Sequence, residues 1–336
     1  MAKFLLKSFL PLVFLIACSP TSRNVSTNSN NSTHVVSSNS TNTTRPSVEG
    51  LLPVDTTIAG QKDSALNAKP LSLMDLPQTQ DGEIALSDGF YEAEFKSYCL
   101  QPGTPSPSDR DAYRQGPLIS YRKDIVETIL RNSLKKPELE QRNIQLLLWS
   151  VVSGSDFRKL SWDVQGTAQQ LLTRKQIFEL EGGVMGIVKT VSMALPESGA
   201  VGQMKQMFET GTSSYEAYER IAVLQQQSHI THTEIKKDQW YKQPEGYWLR
   251  YFPSSYQHVK IQVYVPQGTL EKNSGDYLLF DPVTMMAIPA NSNSQRLGIG
   301  APTIDVLRKI IQIQRLPTPP VKKPPVKSEN PKVIQN

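Results

Sequence analysis

The sequence lacks the common signatures of hydrolases and of nucleotide-binding proteins. Among its 336 residues are 2 cysteines and 4 histidines. No serine stands in the G-x-S-x-G context of a nucleophile elbow. The glycine-rich stretch 182–186 has neither the G-x-G-x-x-G spacing nor the Lys-Ser/Thr pair that a phosphate loop requires. We therefore interpret that stretch as a turn between helices, and we expect no cofactor.

The central part of the chain also lacks a surplus of charge. The formal net charge is +5, but Lys3 and Lys7 lie in the first 17 residues, and the tail from Arg315 carries five cations against Glu329. Subtracting those two charges and the tail's net four from +5 leaves −1 for everything between. Proteins that bind nucleic acid carry a basic patch or stripe. We therefore expect no nucleic-acid partner.

The N-terminus has the pattern of a secretory signal. Two lysines precede a short apolar stretch, Ser8 to Ala17, which is much shorter than the roughly 20 residues of a membrane-spanning helix. The sequence Leu15-Ile16-Ala17-Cys18 resembles the bacterial lipobox, in which a diacylglyceryl group is attached to the cysteine and the peptide is cut just before it. Leu15 suits this motif, whereas an ordinary cleavage site has a small residue there. A plain secreted protein is the alternative.

The resemblance to a lipobox implies a signal peptide over 1–17 and an acylated, palmitate-bearing Cys18. Two or three acyl chains hold a protein to a bilayer almost permanently, since each buried methylene contributes about 0.8 kcal/mol. Ser19 stands where an aspartate would resemble an inner-membrane retention signal. The resemblance therefore implies a lipid-anchored envelope protein, at the outer membrane rather than the inner one, on its periplasmic or its outer side.

The second cysteine, Cys99, has no partner once Cys18 is acylated. Apolar and polar residues alternate from Tyr91 to Cys99, which predicts a half-buried strand with Cys99 on its inward face. We interpret Cys99 as a buried thiol. A nucleophile and an intermolecular disulfide are the alternatives.

Composition divides the mature chain into tails and a body. Residues 18–48 are rich in Ser, Thr and Asn without apolar periodicity, which predicts a flexible tether. Residues 49–88 suggest an extended irregular segment, and the Pro/Lys-rich residues 316–336 suggest a disordered tail. The folded body is then expected at 89–315.

Within the body, helical spacing of apolar residues predicts a helical region over about 120–228, including a central helix over 144–152 that Gly154 ends. Aromatic and β-branched residues predict a β-rich region over about 239–290. Helical spacing returns over about 303–314. The predicted fold class is α+β, with a helical region followed by a small antiparallel β-region.

The most distinctive feature of the body is an aromatic hairpin, formed by 247–252 and 259–265. On an alternating strand Trp248, Arg250 and Phe252 share one face, and Tyr251 points to the other. Aromatic residues and arginine are enriched at the hot spots of interfaces. Trp248, Arg250, Tyr251 and Phe252 are therefore the candidate partner-binding residues, with ordinary core packing as the alternative.

A possible metal motif, His229-x-x-His232-x-Glu234, lacks a recognisable fourth ligand. We interpret it as a solvated loop and expect no metal.

These observations favour a lipid-anchored envelope protein with a non-enzymatic binding, scaffold or assembly role. Its expected partners are the bilayer, through acylated Cys18, and an envelope protein or the cell wall. The alternative is a cell-envelope hydrolase or wall-modifying enzyme. Its site would gather Cys99 or Glu92 with a histidine such as His258.

Overall fold

The computed structural model describes residues 64–108, 110–118, 122–182, 199–225, 239–273, 277–290 and 292–303. The signal peptide with Cys18, the tether, the predicted helix over about 303–314 and the C-terminal tail lie outside these ranges, apart from residue 303. Within them, every helix is too short or too polar to cross a membrane.

The described ranges form twelve strands and seven α-helices. The strands are β1 (Leu71–Ser72), β2 (Ile84–Leu86), β3 (Gly89–Cys99), β4 (Thr104–Pro105), β5 (Tyr113–Pro117), β6 (Val223–Leu224), β7 (Tyr241–Lys242), β8 (Trp248–Pro253), β9 (His258–Val265), β10 (Leu278–Phe280), β11 (Met285–Pro289) and β12 (Leu297–Pro302). The helices are α1 (Lys123–Leu134), α2 (Gln141–Ser153), α3 (Trp162–Leu171), α4 (Arg174–Leu180), α5 (Gly199–Glu209), α6 (Tyr215–Ala222) and α7 (Thr269–Asn273).

One eight-stranded sheet dominates the body. Its strands run in the order β5-β11-β12-β3-β9-β8-β7, every neighbouring pair along this path is antiparallel, and β1 joins β3 in parallel. The sheet curls until β5 comes alongside β8, which makes it nearly a barrel. The pairs β10–β2 and β4–β6 form two small additional sheets.

The α+β class is confirmed, but the predicted order of its parts is wrong. Five strands precede the helices, and the sheet is large. Residues 64–88, expected to be irregular, contain β1, β2 and two 3-10 turns, and Leu73, Ile84 and Leu86 are buried. The body therefore begins before residue 89. Strand β2 was missed because its partner lies more than 150 residues away along the chain, as in the pairing of Ile84 with Phe280. Strand β1 pairs with the nearby β3, but it is only two residues long and shows no alternating pattern.

The inner face of the sheet follows the predicted period of two. Tyr91, Ala93 and Phe95 of β3 point into the main core, as do Ile261 and Val263 of β9. Cys99 continues the same face and has 0% exposure, so its inward placement is confirmed.

Helix α1 packs against the opposite face of β12, where Gly298 and Gly300 make room for it. A Cβ atom on Gly298 would lie 3.1 Å from Leu130 Cδ1 of α1, and one on Gly300 would lie 2.6 Å from Tyr98 Cε2. Glycine weakens a strand, but it permits this close approach of neighbouring elements.

The central helix ends at the predicted residue. Gly154 ends the buried helix α2 in the left-handed conformation, with φ of 67°. Thr173 and Gln176 form a capping box at the start of α4. Ser214 is the N-cap of α6 and accepts from the Ala217 amide.

Candidate functional site

The even-numbered residues of β8 and β9 point away from the main core. The strand register sets Arg250 opposite Gln262 and Phe252 opposite Lys260, and on the other side of β9 it sets Glu92 of β3 opposite Gln262. Residues directly opposite on one face of an antiparallel pair have Cβ atoms about 5 Å apart and interact. We use the name outer ladder for these five residues together with Trp240, which precedes β7.

A row of polar contacts crosses three strands within the outer ladder. Arg250 Nε donates a hydrogen bond to Gln262 Oε1 at 2.6 Å, and Gln262 Nε2 donates to Glu92 Oε2 at 2.8 Å. Lys260 Nζ lies 3.9 Å from the same carboxylate oxygen. Because both ends of the Gln262 amide are engaged, this residue fixes the positions of the charged groups on either side of it.

Cations and aromatic rings alternate along the same face. The Arg250 guanidinium carbon lies 4.2 Å from the centroid of the Trp240 ring and 5.2 Å from that of Phe252. Lys260 Nζ also lies 5.2 Å from the centroid of the Phe252 ring. Each such contact contributes about 0.5–1 kcal/mol when it is exposed to solvent. The outer ladder is therefore held in one arrangement before any partner arrives.

Trp248 is buried beneath this face and is not part of its solvent-facing surface. It forms a small buried cluster with Phe90, Trp240 and Tyr264, against which Leu66 packs. Its exposed fraction is 5%. The prediction that Trp248 contacts a partner directly is therefore corrected. A single strand could not reveal that Phe90, from β3, completes a second core on the outer side of the sheet.

Tyr251 is also displaced from the predicted site. It lies in the main core on the inward face of β8, with 4% exposure. Burial raises the pKa of its hydroxyl well above the usual range. Of the four candidate residues, the structure thus leaves Arg250 and Phe252, both half-buried, at the solvent boundary.

The surroundings of the outer ladder carry charges of both signs. Lys242 and Glu94 are exposed, and the side chains of Lys260 and Glu92 are 39% and 33% exposed. Guanidinium, aromatic, amide and carboxylate groups are therefore presented together. Such a face can stack on a partner and can also donate and accept hydrogen bonds.

The hairpin that carries the outer ladder is anchored to helix α6 at its turn. The Tyr256 hydroxyl donates to the Glu219 carboxylate and lies 2.8 Å from the Tyr215 hydroxyl. Gln257 Nε2 donates to the same Tyr256 hydroxyl at 3.1 Å. Burial first, and then the hydrogen bond to Glu219, raise the pKa of Tyr256. The hydroxyl therefore stays protonated, and the cluster fastens the turn to the helix.

The structure does not bring together Cys99, Glu92 and His258, the residues named for an enzymatic site. Cys99 is a buried free thiol that donates to Gln295 Oε1 at 2.6 Å. Burial raises its pKa to about 12, so the nucleophilic thiolate is scarce at neutral pH. His258 lies opposite Lys96 of β3. Lys96 is four residues from Glu92 and three residues from Cys99 along that strand.

A cleft of about 290 Å³ lies beside the beginnings of α1 and α4. Arg122 and Lys175 line it together with Asp124 and Glu179, so its charges are mixed. Gln176, which also lines it, donates to Thr128 Oγ1 at 2.8 Å and joins the two helices. We interpret the cleft as a helix junction.

In the part of the chain that the structure describes, no three His, Cys, Asp or Glu side chains are grouped so as to hold a metal ion. The motif His229, His232 and Glu234 lies outside that part. No family model matches the chain, and comparison with curated proteins and with solved structures likewise finds no match.

Proposed function

We propose that this protein is a lipid-anchored component of a bacterial cell envelope, and that its body binds an envelope protein or the cell wall through the outer ladder. Acylated Cys18 would hold it to the outer membrane, and the Ser/Thr/Asn-rich residues after it would act as a tether. The role is binding, scaffolding or assembly rather than catalysis.

The observation that carries this proposal is the grouping of Arg250 and Lys260 with Phe252 at the solvent boundary. Two cations lie within 5.2 Å of one half-buried aromatic ring, and Gln262 and Glu92 hold them in place. Groups arranged in advance lose little conformational entropy on binding, which is the general basis of affinity through preorganisation. Arginine and aromatic anchors are also the residues that dominate binding energy at interfaces.

The enzymatic alternative has less support from the described residues. A nucleophile must be ionised or activated by a neighbouring base. The Cys99 thiol is fully buried, its pKa is raised, and its hydrogen-bond acceptor is an amide oxygen of Gln295. Glu92 is engaged by Gln262 on the outer face.

The anchor is tested separately from the binding face. Cys18→Ser should abolish fatty-acid labelling and release the protein from membranes, because the acyl chains supply the attachment. Continued labelling of that variant, or its retention in the membrane fraction, would overturn the lipid-anchor part of the proposal.

The binding face is tested by crosslinking in the intact envelope, with partners identified by mass spectrometry. We expect one partner at near-equal amounts, and we expect Arg250→Ala or Phe252→Ala to reduce its recovery strongly. Loss of a hot-spot residue costs at least about 2 kcal/mol, or roughly thirtyfold in affinity. Phe178→Ala is the matched control, because Phe178 is an aromatic residue on α4 with 58% exposure, outside the outer ladder.

The comparison is valid only if Arg250→Ala and Phe252→Ala remain folded, which thermal unfolding of each variant shows. Because Gln262, Glu92 and the buried cluster remain in place, we expect the variants to fold. Equal recovery of the partner by Arg250→Ala, Phe252→Ala and Phe178→Ala would contradict the proposal. If no protein partner is recovered at all, a protein partner is contradicted. Arg250→Ala and Phe252→Ala must then reduce binding of the protein to the cell-wall fraction.

A further inference from the structure

Trp162, the first residue of α3, is almost fully exposed. Its exposed fraction is 88%, whereas the other tryptophans, Trp149, Trp240 and Trp248, have exposed fractions of 0%, 9% and 5%. No other large apolar side chain in the described ranges is exposed as much. Because folded proteins bury most of the surface of tryptophan, this exposure suggests a role outside the core.

The backbone that carries Trp162 is fixed on both sides. A 3-10 turn, Phe157–Lys159, precedes it, and Leu160 N donates to the Phe157 carbonyl oxygen at 3.1 Å. Gln165 Nε2, in the first turns of α3, donates to the Leu160 carbonyl oxygen at 2.7 Å. Phe157 and Leu160 have exposed fractions of 4% and 5%, so they attach the segment to the core. A fixed segment therefore holds the Trp162 ring in the solvent.

The same segment carries charges of both signs. Arg158, Lys159 and Asp163 are exposed, and the side chain of Asp156 is 29% exposed. Arg158 Nη2 donates to Asp156 Oδ2 at 2.8 Å, and Arg158 Nε donates to Asp156 Oδ1 at 3.0 Å. Residues 156–163 thus contain two cations and two carboxylates, and their formal charges sum to zero.

An exposed tryptophan within a charge-balanced segment fits the boundary between a bilayer and water. The indole ring is apolar but has one N–H donor, and tryptophan is enriched at this boundary in membrane proteins. Segments that bind anionic lipids carry clusters of about 4–8 lysines and arginines. The balanced charges of residues 156–163 instead match zwitterionic headgroups, in which a phosphate and an ammonium group occur together.

The chain between the predicted anchor and the body is long enough to permit this contact. Residues 18–63, which number 46, lie between the predicted acyl chains and residue 64, where the described ranges begin. The ends of a flexible chain of that length are on average about 35–40 Å apart. An anchored body would therefore stay close to the bilayer. A weak contact is then sufficient, because the tether makes the effective concentration high.

We propose that Trp162 docks the body on the bilayer that holds the anchor, with its indole ring among zwitterionic headgroups. Lys159 would approach the lipid phosphates, and Asp163 would approach the lipid ammonium groups. This inference rests on the lipid-anchor part of the proposed function, and it is independent of the outer ladder.

The test uses the purified, acylated protein in vesicles of phosphatidylcholine and phosphatidylethanolamine. Sedimentation of the vesicles shows whether the protein is anchored. A second preparation contains lipids brominated near the headgroup, which quench tryptophans that lie in the bilayer surface. We expect the brominated lipids to quench the emission of one tryptophan of the four, because the other three are buried in the body.

Trp162→Phe should abolish this quenching. Trp248→Phe is the matched control, because it removes a tryptophan with 5% exposure, and the quenching should then remain. The quenching should also persist in about 1 M sodium chloride, where charges more than about 3 Å apart are largely screened. A balanced set of charges has no net attraction for salt to weaken.

Four results would overturn the inference. Sedimented protein without quenching would leave the anchor in place and show that Trp162 faces water or a soluble partner. Equal quenching of the parent and of Trp162→Phe would place the bilayer contact elsewhere on the body. Quenching that is lost in high salt, or that appears only after phosphatidylglycerol is added, would exclude a zwitterionic surface. Failure to sediment would contradict the lipid anchor itself, and this inference with it.

Discussion

Burial of Cys99 leads to a quantitative prediction about its reactivity. The thiol has 0% exposure and a pKa of about 12, against 9.0 for an ordinary cysteine. Because alkylation proceeds through the thiolate, this difference alone lowers the reactive fraction about a thousandfold at any pH below 9. Exclusion of the reagent from the core lowers the rate further.

The measurement is a time course of alkylation at about pH 8, followed by mass spectrometry. The full chain with Cys18→Ser is the right sample, because Cys99 is then the only thiol among its 336 residues. We expect labelling of the native protein to be at least about a thousandfold slower than labelling of the same chain in denaturant. The native rate should rise with denaturant as the fraction of unfolded molecules grows.

The hydrogen-bond partners of Cys99 allow a second, independent measurement of its burial. Gln145 Oε1 accepts from the Cys99 amide at 2.8 Å, and Gln295 Oε1 accepts from the thiol. Cys99→Ala should therefore lower the free energy of unfolding by about 1–3 kcal/mol, because the buried Gln295 oxygen loses its donor. Rapid labelling of the native protein, at a rate close to that of the unfolded chain, would refute the burial on which this reasoning depends.

Three further predictions concern stability. Gly300→Ala should cost about 1–3 kcal/mol in the free energy of unfolding measured by urea denaturation, because its Cβ would lie 2.6 Å from Tyr98; an unchanged midpoint would count against this close contact between β12 and Tyr98. Asp281→Asn should lower the Tm, because Arg131, whose side chain is 20% exposed, loses its ion pair with the Asp281 carboxylate at 2.5 Å. An unchanged Tm would show that this ion pair does not contribute to stability. Burial raises the pKa of Tyr218 to about 12 from 10.0, so its buried neutral hydroxyl contributes stability that is complete below pH 10 and is lost as the pH rises through 12. Because the chain has 12 tyrosines, the readout is the tyrosinate absorbance that the parent shows and Tyr218→Phe lacks; this difference should appear together with unfolding, and its appearance in the folded protein would contradict the prediction.

Local patterns in the sequence predicted local structure correctly. Alternation over β3 placed Cys99 on the inward face because a strand has a side-chain period of two. Gly154 identified the end of α2 because that position demands a residue that adopts the left-handed conformation easily. Each of these features depends on residues within about four positions of one another.

Features that depend on distant pairing could not be predicted in the same way. Strand β12 has the sequence Leu-Gly-Ile-Gly-Ala-Pro, and two glycines are unfavourable for a strand until α1 packs closely against them. Strand β5 joins the sheet only through β11, about 170 residues later. These non-local contacts made the sheet large where a small β-region had been expected.

The candidate site was predicted only in outline. The two-faced hairpin correctly grouped Arg250 with Phe252, but it did not show that Trp248 is covered. It also missed Gln262 and Lys260, because the register across the turn was unknown. Residues 254–257 separate the strands, and Ser254 N donates to the His258 carbonyl oxygen. The register across this turn decides which residue faces Arg250.

The most direct test of the proposed binding face is photo-crosslinking in the intact envelope from a photoreactive amino acid placed at position 252. Position 178 on α4 serves as the matched control, since Phe178 is an exposed aromatic residue far from β8 in sequence. We predict a discrete adduct with one envelope component from position 252, none from position 178, and loss of the adduct when Arg250→Ala is added. Adducts of equal yield from both positions, or an adduct from position 252 that survives Arg250→Ala unchanged, would contradict the role assigned to the outer ladder.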